Sequence, residues 1–302
     1  MVDVLVVGSL NADIMVRTQD FPAPGETVRA TGLEVGPGGK GGNQAAAARR
    51  HGVAVRLVGV VGDDSHGAML LEAAVRTGID VSGIRTADGK PSGVAVITIN
   101  ERGENTIVVA PGANDSLEPD TAVEAVREAG RGGVLCLTLE TSPAIALVSS
   151  REARANDRRV ILNLSPYEQV PDDLLELVDV LVMNEHEAGH LCGGTFSTQT
   201  LLHELVRWDV RQAIVTLGAR GCVVLDNEGR EPIREIRAGK VARVVDTTGA
   251  GDAFLGSLAA RLALGSGIIE AAQEAVHAAS LTVGTAGAQS VRDATETMAR
   301  TP

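Results

Sequence analysis

Residues 55–78, VRLVGVVGDDSHGAMLLEAAVRTG, carry the pattern that decides the fold. The apolar run VRLVGVVG (55–62) is typical of a strand buried on both faces. The segment HGAMLLEAAVRTG (66–78) has helical periodicity, with Gly78 just past the helix end. Similar buried strands recur, with helical segments between several of them, at 2–8, 134–139, 159–164, 179–184 and 213–218. This alternation predicts an α/β fold, a Rossmann-like and mostly parallel central sheet with helices on both faces.

Two regions interrupt this rhythm. Residues 10–35 contain alternating stretches and the turn-rich FPAPGE, and residues 91–110 contain two strands around a turn at 101–104. Because alternation of apolar and polar residues indicates a strand with one covered and one open face, we expect these inserts to pair into a small β-sheet lid. The chain shows no repeat or long linker, so residues 1–302 are predicted to form a single domain that carries the lid inserts.

Composition excludes several classes of function. The 302 residues are 44% apolar, enough for a sizeable core, and carry a formal net charge of −12. This charge argues against nucleic-acid and anionic-membrane partners, which need a basic face. The three cysteines form no CxxC pair, and no apolar run approaches the roughly 20 residues of a membrane span. We expect a cytoplasmic protein without a signal peptide.

The stretch VVDTTGAGDAFLG (244–256) is the strongest candidate for chemistry. Gly249, Ala250 and Gly251 leave three successive backbone N–H groups unhindered at the start of an apolar helix, which is an arrangement that binds anions. Asp252 follows in the first helical turn. A carboxylate beside an anion is unfavourable unless it takes a proton from a hydroxyl that attacks the anion, as in phosphoryl transfer. The alternative is that Asp252 only complements the helix dipole. Asp246, at the strand end, is expected to bind a cation or tie the loop.

The glycine-rich stretch GPGGKG (36–41) is a second candidate binding loop. It satisfies GxGxxG, but it lacks a strong buried strand before it and an acidic residue about 20 positions later, and Gly41 stands where a P-loop needs Ser or Thr. Its glycines and Lys40 still allow close approach of a polar ligand to bare amides at a helix start. The alternative is a flexible turn.

The stretch HEAGH (186–190) satisfies the HExxH pattern of zinc peptidases. Gly189 weakens the helix that would have to hold both histidines, and Phe196 stands where the longer metzincin pattern has a third histidine. A zinc peptidase therefore stays a remote alternative.

Several stretches, taken in order, resemble the PfkB carbohydrate kinases of the ribokinase-like superfamily. They are GSLNAD (8–13), PAPGET (22–27), GGKGGNQAAAA (38–48), VGDDSHG (61–67), GENTIVVAPGAN (103–114), NEHE (184–187), TLGARG (216–221), DTTGAGDAF (246–254) and GAQS (287–290). The resemblance implies ATP-dependent phosphorylation of a sugar's primary hydroxyl, with the 5-hydroxyl of D-ribose as the first expectation. Another small sugar, such as deoxyribose or a fructose-type sugar, or a nucleoside is the alternative. The low aromatic content, 2%, favours a sugar over a base that stacks on aromatic rings.

The same resemblance implies roles for individual residues. The sugar contacts are Asn11, Asp13, Gly39, Lys40, Asn43, Glu140 and Asp252. Asp252 is the catalytic base, and the amides of Gly249, Ala250 and Gly251 form the anion hole. The nucleotide contacts are Asn184, Glu187, Thr216, Gly218, Gly221 and His277, with His277 near the adenine and Glu187 ordering Mg²⁺ through water. An activating K⁺ is implied at Asp246, Thr248, Thr282, Gly287 and Ser290. A homodimer through the β lid is implied as well.

Two departures from the family pattern affect this reading. Gly42 stands where the family usually has alanine, which should loosen the helix start slightly. The step from Glu140 to the next proline, Pro143, is longer than usual and leaves the direction of the Glu140 side chain open.

Overall fold

The structure is a computed structural model that describes residues 2–227, 229, 231–239, 241, 243–284, 287 and 289. Its strands are β1 (Val4–Val7), β2 (Asn11–Arg17), β3 (Gly32–Gly38), β4 (Val55–Gly62), β5 (Asp80–Ala87), β6 (Gly93–Ile99), β7 (Asn105–Ala110), β8 (Val134–Thr138), β9 (Arg159–Asn163), β10 (Val180–Asn184), β11 (Gln212–Thr216), β12 (Cys222–Asp226) and β13 (Ile233–Ile236). Its α-helices are α1 (Lys40–Arg49), α2 (Ser65–Arg76), α3 (Pro119–Glu128), α4 (Pro143–Ala155), α5 (Asp172–Leu175), α6 (Glu185–Leu191), α7 (Thr198–Arg207), α8 (Ala250–Ala263) and α9 (Ile268–Thr282).

Within these described residues, nine strands form the central sheet in the order β13-β12-β11-β10-β9-β8-β1-β4-β5. All neighbours from β11 to β5 pair in parallel, whereas β12 pairs antiparallel with β11, and β13 pairs antiparallel with β12 at the edge of the sheet. The prediction of a mostly parallel α/β sheet is confirmed. The apolar runs found in the sequence are its central strands, because only strands covered on both faces need continuous apolar side chains.

Helices pack on both faces of this sheet. Successive residues of β1 alternate between two cores: Val4 and Val6 face α1, α8 and α9, while Leu5 and Val7 face α3 and α4. All four side chains are fully buried. This period-two alternation of direction within an all-apolar strand is what allows one sheet to carry a core on each side.

A second sheet forms the predicted lid, with its strands in the order β3-β2-β6-β7. β2 and β6 pair in parallel, and the two outer pairs are antiparallel. The first insert extends to Gly38 rather than to residue 35, because the glycine-rich segment 36–38 is an extended edge strand whose Gly38 pairs with Asn11. We call these four strands the lid sheet.

The two faces of the lid sheet differ in character. Val35, Ile14, Val96 and Val108 stand opposite one another in one row across all four strands. Val108 is 70% exposed, so this row is an open apolar face. The neighbouring row contains Asp13, which is buried, and it therefore belongs to the opposite face. No helix in the described part of the chain is both long and apolar enough to cross a membrane.

Candidate active site

Asp252 lies in the first turn of α8, at the edge of the sheet where the parallel strands end. The residue before the helix, Gly249, has a left-handed backbone with φ of 76°, which places the amides of Ala250 and Gly251 at the helix start. Asp252 is buried, although a carboxylate normally stays in water. The structure thus places a buried carboxylate in the first turn of α8, where the Ala250 amide donates to the Thr247 carbonyl at 3.3 Å. The predicted anion hole stays a prediction.

Two side-chain amides from α1 hold the Asp252 carboxylate. Asn43 Nδ2 donates to Oδ2 at 3.0 Å, and Gln44 Nε2 donates to Oδ1 at 3.1 Å. Burial raises the pKa of Asp252, whereas Lys40 and the two amide donors lower it; the net direction is upward. The side chains of Asn43 and Gln44 reach Asp252 because α1 and α8 touch at Gly256. A Cβ added to Gly256 would lie 2.3 Å from the Gln44 carbonyl oxygen.

The lid sheet brings Asn11 and Asp13 to the same place. Asn114 fixes Asn11, because its Nδ2 donates to Asn11 Oδ1 at 2.8 Å while its own Oδ1 accepts the Leu10 amide at 2.9 Å. Burial raises the pKa of Asp13 to about 7, and the charges of Glu140 and Asp252 add to this effect. The positive charge of Lys40 lowers the pKa of Asp13 and so opposes these effects.

Glu140 joins this cluster despite the longer step to Pro143. Its Oε2 accepts the backbone amide of Lys40 at 3.0 Å and the hydroxyl of Ser9. The carboxylate therefore lies at the start of α1, where the helix dipole favours negative charge. The predicted contact between Glu140 and a sugar stays a prediction.

Lys40 is the cation of the cluster. Burial alone would lower the pKa of its ammonium group, but the surrounding carboxylates outweigh burial and raise it. These carboxylates belong to Asp252, Glu140, Glu187 and Asp13. Lys40 therefore stays charged at neutral pH and balances part of the negative charge collected there.

A cavity of ≈ 590 Å³ opens on the other side of the α8 start. Its lining includes five residues that the sequence assigned to the nucleotide or the anion hole: Thr216, Gly218, Gly221, Ala250 and Gly251. The rest of the wall is mainly apolar and includes Ala238, Val241, Val244, Phe254, Val276, Ala279, Ser280 and Val283. An apolar pocket that ends at a helix N-terminus suits a ligand with a flat ring at one end and phosphates at the other.

His277 is exposed and is not among the residues that line this cavity. It lies on α9 between two lining residues, Val276 and Ala279, so it is near the wall without facing the cavity. The predicted role of His277 beside the adenine stays a prediction.

Asn184 and Glu187 form a capping box at the start of α6. Asn184 Oδ1 accepts the Glu187 amide at 2.9 Å, and Glu187 Oε2 accepts the Asn184 amide at 2.7 Å. Glu187 is buried, whereas His186 and His190 are exposed and contact each other through Nε2 at 3.2 Å. The carboxylate that a zinc peptidase would use is thus occupied in capping its own helix. The described ranges contain no group of three or more His, Cys, Asp or Glu side chains placed to hold a metal ion.

Asp246 ties the loop before α8 to the segment after α9. Its Oδ1 accepts the Thr248 amide at 2.9 Å, and its Oδ2 accepts the Gly287 amide at 3.1 Å. Thr282, at the end of α9, is buried, and its hydroxyl donates to the Ala278 carbonyl at 3.0 Å. Ser290 lies outside the described residues. Asp246 and Thr248 thus lie in the loop before α8, and Thr282 and Gly287 lie at the end of α9 and just after it. The Asp246 side chain joins these two segments.

Comparison with known proteins decides the family. The model of the pfkB family carbohydrate kinases matches residues 1–295. The chain belongs to the PfkB family of carbohydrate kinases. Relatives of this carbohydrate kinase include the ribokinase of Haemophilus influenzae, which is 32% identical over 292 residues, with 94% of this chain and 93% of the relative covered.

Solved structures of ribokinases share the fold of this PfkB kinase. Arabidopsis thaliana ribokinase complexed with ribose and ATP superposes with a TM-score of 0.85 at 31% identity, covering 96% of this chain and 95% of that one. Thermotoga maritima ribokinase gives 0.87 at 29% identity, covering 99% of each chain.

Some residues of this PfkB kinase's site were not found from the sequence. Asn114 ends a recognised stretch, but nothing in a single sequence indicates that its side chain fixes Asn11. Gln44 follows a predicted contact, Asn43, and looks like an ordinary helix residue. Gln289, whose Nε2 donates to Asn43 Oδ1 at 2.9 Å, lies 246 positions further along the chain. Only the tertiary fold brings such pairs together.

Proposed function

We propose that this PfkB carbohydrate kinase transfers the γ-phosphoryl group of ATP to the 5-hydroxyl of D-ribose, giving ribose 5-phosphate and ADP. One observation carries the proposal: Asp252 is hydrogen-bonded to Asn43 of the polar cluster, while the two preceding residues, Ala250 and Gly251, line the large cavity. The Asp252 carboxylate thus lies between the polar side chains proposed to bind the sugar and the cavity proposed to bind the nucleotide. The match to ribokinases, one of them complexed with ribose and ATP, supports this choice of substrates.

The sugar side of the mechanism rests on buried polar groups. In the proposal, Asn11, Asp13 and Glu140 accept or donate hydrogen bonds to ribose hydroxyls, together with Lys40, Asn43 and the Gly39 loop. A sugar that lacks one of these hydroxyls would leave a buried polar group unpaired, and such sites reject the analogue strongly. The carboxylates and amides of this cluster suit a small polyhydroxyl ligand better than a base.

The chemical step follows from the position of Asp252. Its carboxylate accepts the proton of the 5-hydroxyl as that oxygen attacks the γ-phosphorus and the bond to the ADP oxygen breaks. The N–H groups of Gly249, Ala250 and Gly251 donate to the phosphoryl oxygens and stabilise their negative charge. The Ala250 N–H, which donates to the Thr247 carbonyl at 3.3 Å in this structure, exchanges that partner for a phosphoryl oxygen. Lys40 adds positive charge to the same region.

Cations complete the proposal. The oxygens of Asn184 and Glu187 fit a hard cation such as Mg²⁺, reached through water, because Glu187 uses one oxygen in the capping box and a carboxylate has a second. Magnesium would neutralise part of the charge on the phosphates. The loop of Asp246 and Thr248, with Thr282, Gly287 and Ser290, is proposed to hold K⁺ and to fix the anion hole next to it.

The lid sheet is proposed to exclude water from the reaction and to form a homodimer. Water exclusion prevents hydrolysis of ATP when the sugar is bound. The open row of Val35, Ile14, Val96 and Val108 is the apolar face that a second lid would cover. A Val108→Asp variant should therefore be monomeric by light scattering, and an unchanged dimer would contradict this interface.

The three free cysteines accord with action in the reducing cytoplasm.

The test is ADP release from Mg·ATP with ribose, deoxyribose, fructose and nucleosides, in potassium and in sodium buffer. We expect fast turnover on ribose that falls without potassium, and almost none in Asp252→Asn, with ribose binding retained. Preference for another panel member would keep the kinase and overturn the choice of ribose. Near-normal turnover of Asp252→Asn would overturn the role of the base.

A further inference from the structure

Gln44 contacts the reacting carboxylate without having been assigned to the site. Its side chain is fully buried on α1, and Nε2 lies 3.1 Å from Asp252 Oδ1. The other oxygen of that carboxylate is held by Asn43, the preceding residue of the same helix. Two consecutive residues of one helix therefore each hold one oxygen of a carboxylate on another helix.

The direction of the Gln44 carboxamide is fixed by Asp252. An ionised carboxylate only accepts hydrogen bonds, so the NH₂ end must face it, because the oxygen end would place two acceptors against each other. The Oε1 atom of Gln44 is buried and has no hydrogen-bond partner in the described part of the chain. A buried acceptor left unpaired costs stability, so stability alone does not account for a glutamine there.

Asn43 differs from Gln44 in this respect. Its Oδ1 accepts the Gln289 Nε2 at 2.9 Å, so its amide has a partner on each side. Within the described residues, the Gln44 side chain has a hydrogen-bond partner only at its NH₂ end, and that partner is Asp252.

The backbone is built so that this contact can form. Gly256 lies one turn after Asp252 on α8, and an added Cβ there would be 2.3 Å from the Gln44 carbonyl oxygen and 2.6 Å from Ala47 Cβ. Only a residue without a side chain allows α1 and α8 to approach this closely. The approach brings Gln44 within one hydrogen bond of Asp252.

We propose that Gln44 is a positioning residue for the phosphoryl transfer: by donating to Oδ1, it fixes the rotation of the Asp252 carboxylate and keeps that carboxylate in the form that accepts the sugar's proton. This inference rests on the proposed function of Asp252 as the base. A donor to each oxygen fixes the plane of the carboxylate, while the remaining lone pairs stay free for the attacking hydroxyl.

The test compares Gln44→Met, which keeps the length and removes the donor, with Gln44→Glu, which places a second carboxyl group against Asp252. We expect Gln44→Met to lower kcat on the order of 10- to 100-fold, as misplaced catalytic groups do, with ribose Kd nearly unchanged. The part of this loss that comes from protonation of Asp252 should recover as pH rises, because loss of a hydrogen bond to the charged form makes the base easier to protonate. The part that comes from misplacement should persist at high pH. Gln44→Glu should move the acidic limb of the kcat–pH profile to still higher pH, since two facing carboxyl groups resist ionising together.

A matched control is Ser257→Ala on α8, which also removes a fully buried polar group without a hydrogen-bond partner in the described residues. Its kcat and pH profile should equal those of the wild type. Wild-type turnover on ribose and its loss in Asp252→Asn establish the proposed function separately. If both hold and the Gln44 variants bind ribose but keep the wild-type kcat–pH profile, the positioning role is overturned. A variant that loses ribose binding and thermal stability together would likewise show that Gln44 is only structural.

Discussion

Asp13 fills the space that a side chain at Gly38 would need: a Cβ added to Gly38 would lie 2.1 Å from the Asp13 carboxylate. Gly38→Ala should therefore push the carboxylate out of position. We expect the KM for ribose to rise about 10- to 100-fold, since a hydrogen bond to a charged group is worth roughly 1.5–3 kcal/mol. Steady-state kinetics at saturating ATP measures this.

Gly36 provides the matched control on the same strand. A Cβ at Gly36 meets nothing within 4 Å, so Gly36→Ala should keep the wild-type KM for ribose. Equal KM values for the two variants would show that Asp13 does not need its observed position.

Ribose affinity should depend on pH through Asp13. Its pKa is raised from 3.8 to about 7 by burial, with Glu140 and Asp252 adding to the shift and Lys40 opposing it. Sugar hydroxyls donate to the ionised form, so below pH 7 binding must first remove a proton. We expect Kd to rise about tenfold for each pH unit below 7 and to level off above it. Titration calorimetry should also detect proton release.

The contribution of Asp13 to fold stability changes with pH in the opposite direction to its contribution to ribose affinity. A carboxyl with a raised pKa in the folded state stabilises the fold below its ordinary pKa, and this contribution is lost between about pH 4 and pH 7 as the unfolded chain ionises first. Asp13→Asn should remove the pH dependence of ribose Kd and part of this stability change. A ribose Kd that stays constant from pH 5.5 to 8 in the wild type would contradict the assignment.

Two adjacent glycines of α1 should respond to alanine in opposite ways. At Gly42 an added Cβ meets only Gln289 Nε2, at an ordinary 3.7 Å, so Gly42→Ala should stabilise the fold by about 0.5–1 kcal/mol through the unfolded chain. At Gly41 the Cβ would be 2.6 Å from the backbone of Gly8, which cannot yield. Gly41→Ala should cost about 1–3 kcal/mol. Chemical denaturation compares them, and equal stabilities would refute this packing.

The large cavity should bind the nucleotide and not the sugar. Ala279 lines it, so Ala279→Phe should raise the KM for ATP about tenfold or more and leave ribose Kd unchanged. His277→Ala, on the same helix but with an exposed side chain, should change the KM for ATP little. A large effect at His277 and none at Ala279 would favour the sequence-based assignment of His277 over the cavity.

The central strands were predictable because burial on both faces imposes a continuous apolar run, as in Val4–Val7 and Val55–Gly62. The edge strands β5 and β13 were not, since one open side allows mixed residues. β12 is an inner strand and was missed although Cys222–Asp226 is largely apolar and buried. Within the candidate site, Asp252 and its glycines could be proposed from the sequence because their spacing has local physical meaning at a helix start. Gln44, Asn114 and Gln289 were missed because their roles depend on contacts between distant segments.

The contact between Gln289 and Asn43 has a consequence for synthesis of the chain. The two residues are separated by 246 positions, and Asp246 binds the same late segment through Gly287. During translation the lid strands, the start of α1 and Glu140 leave the ribosome long before α8 and the segment that follows α9. All strands of the sheet from β5 to β11 are thus synthesised before Asp252, the proposed base, and before α8 and α9, which cover one face of that sheet. The proposed phosphoryl-transfer site therefore cannot be complete until the last described segment of the chain has been made.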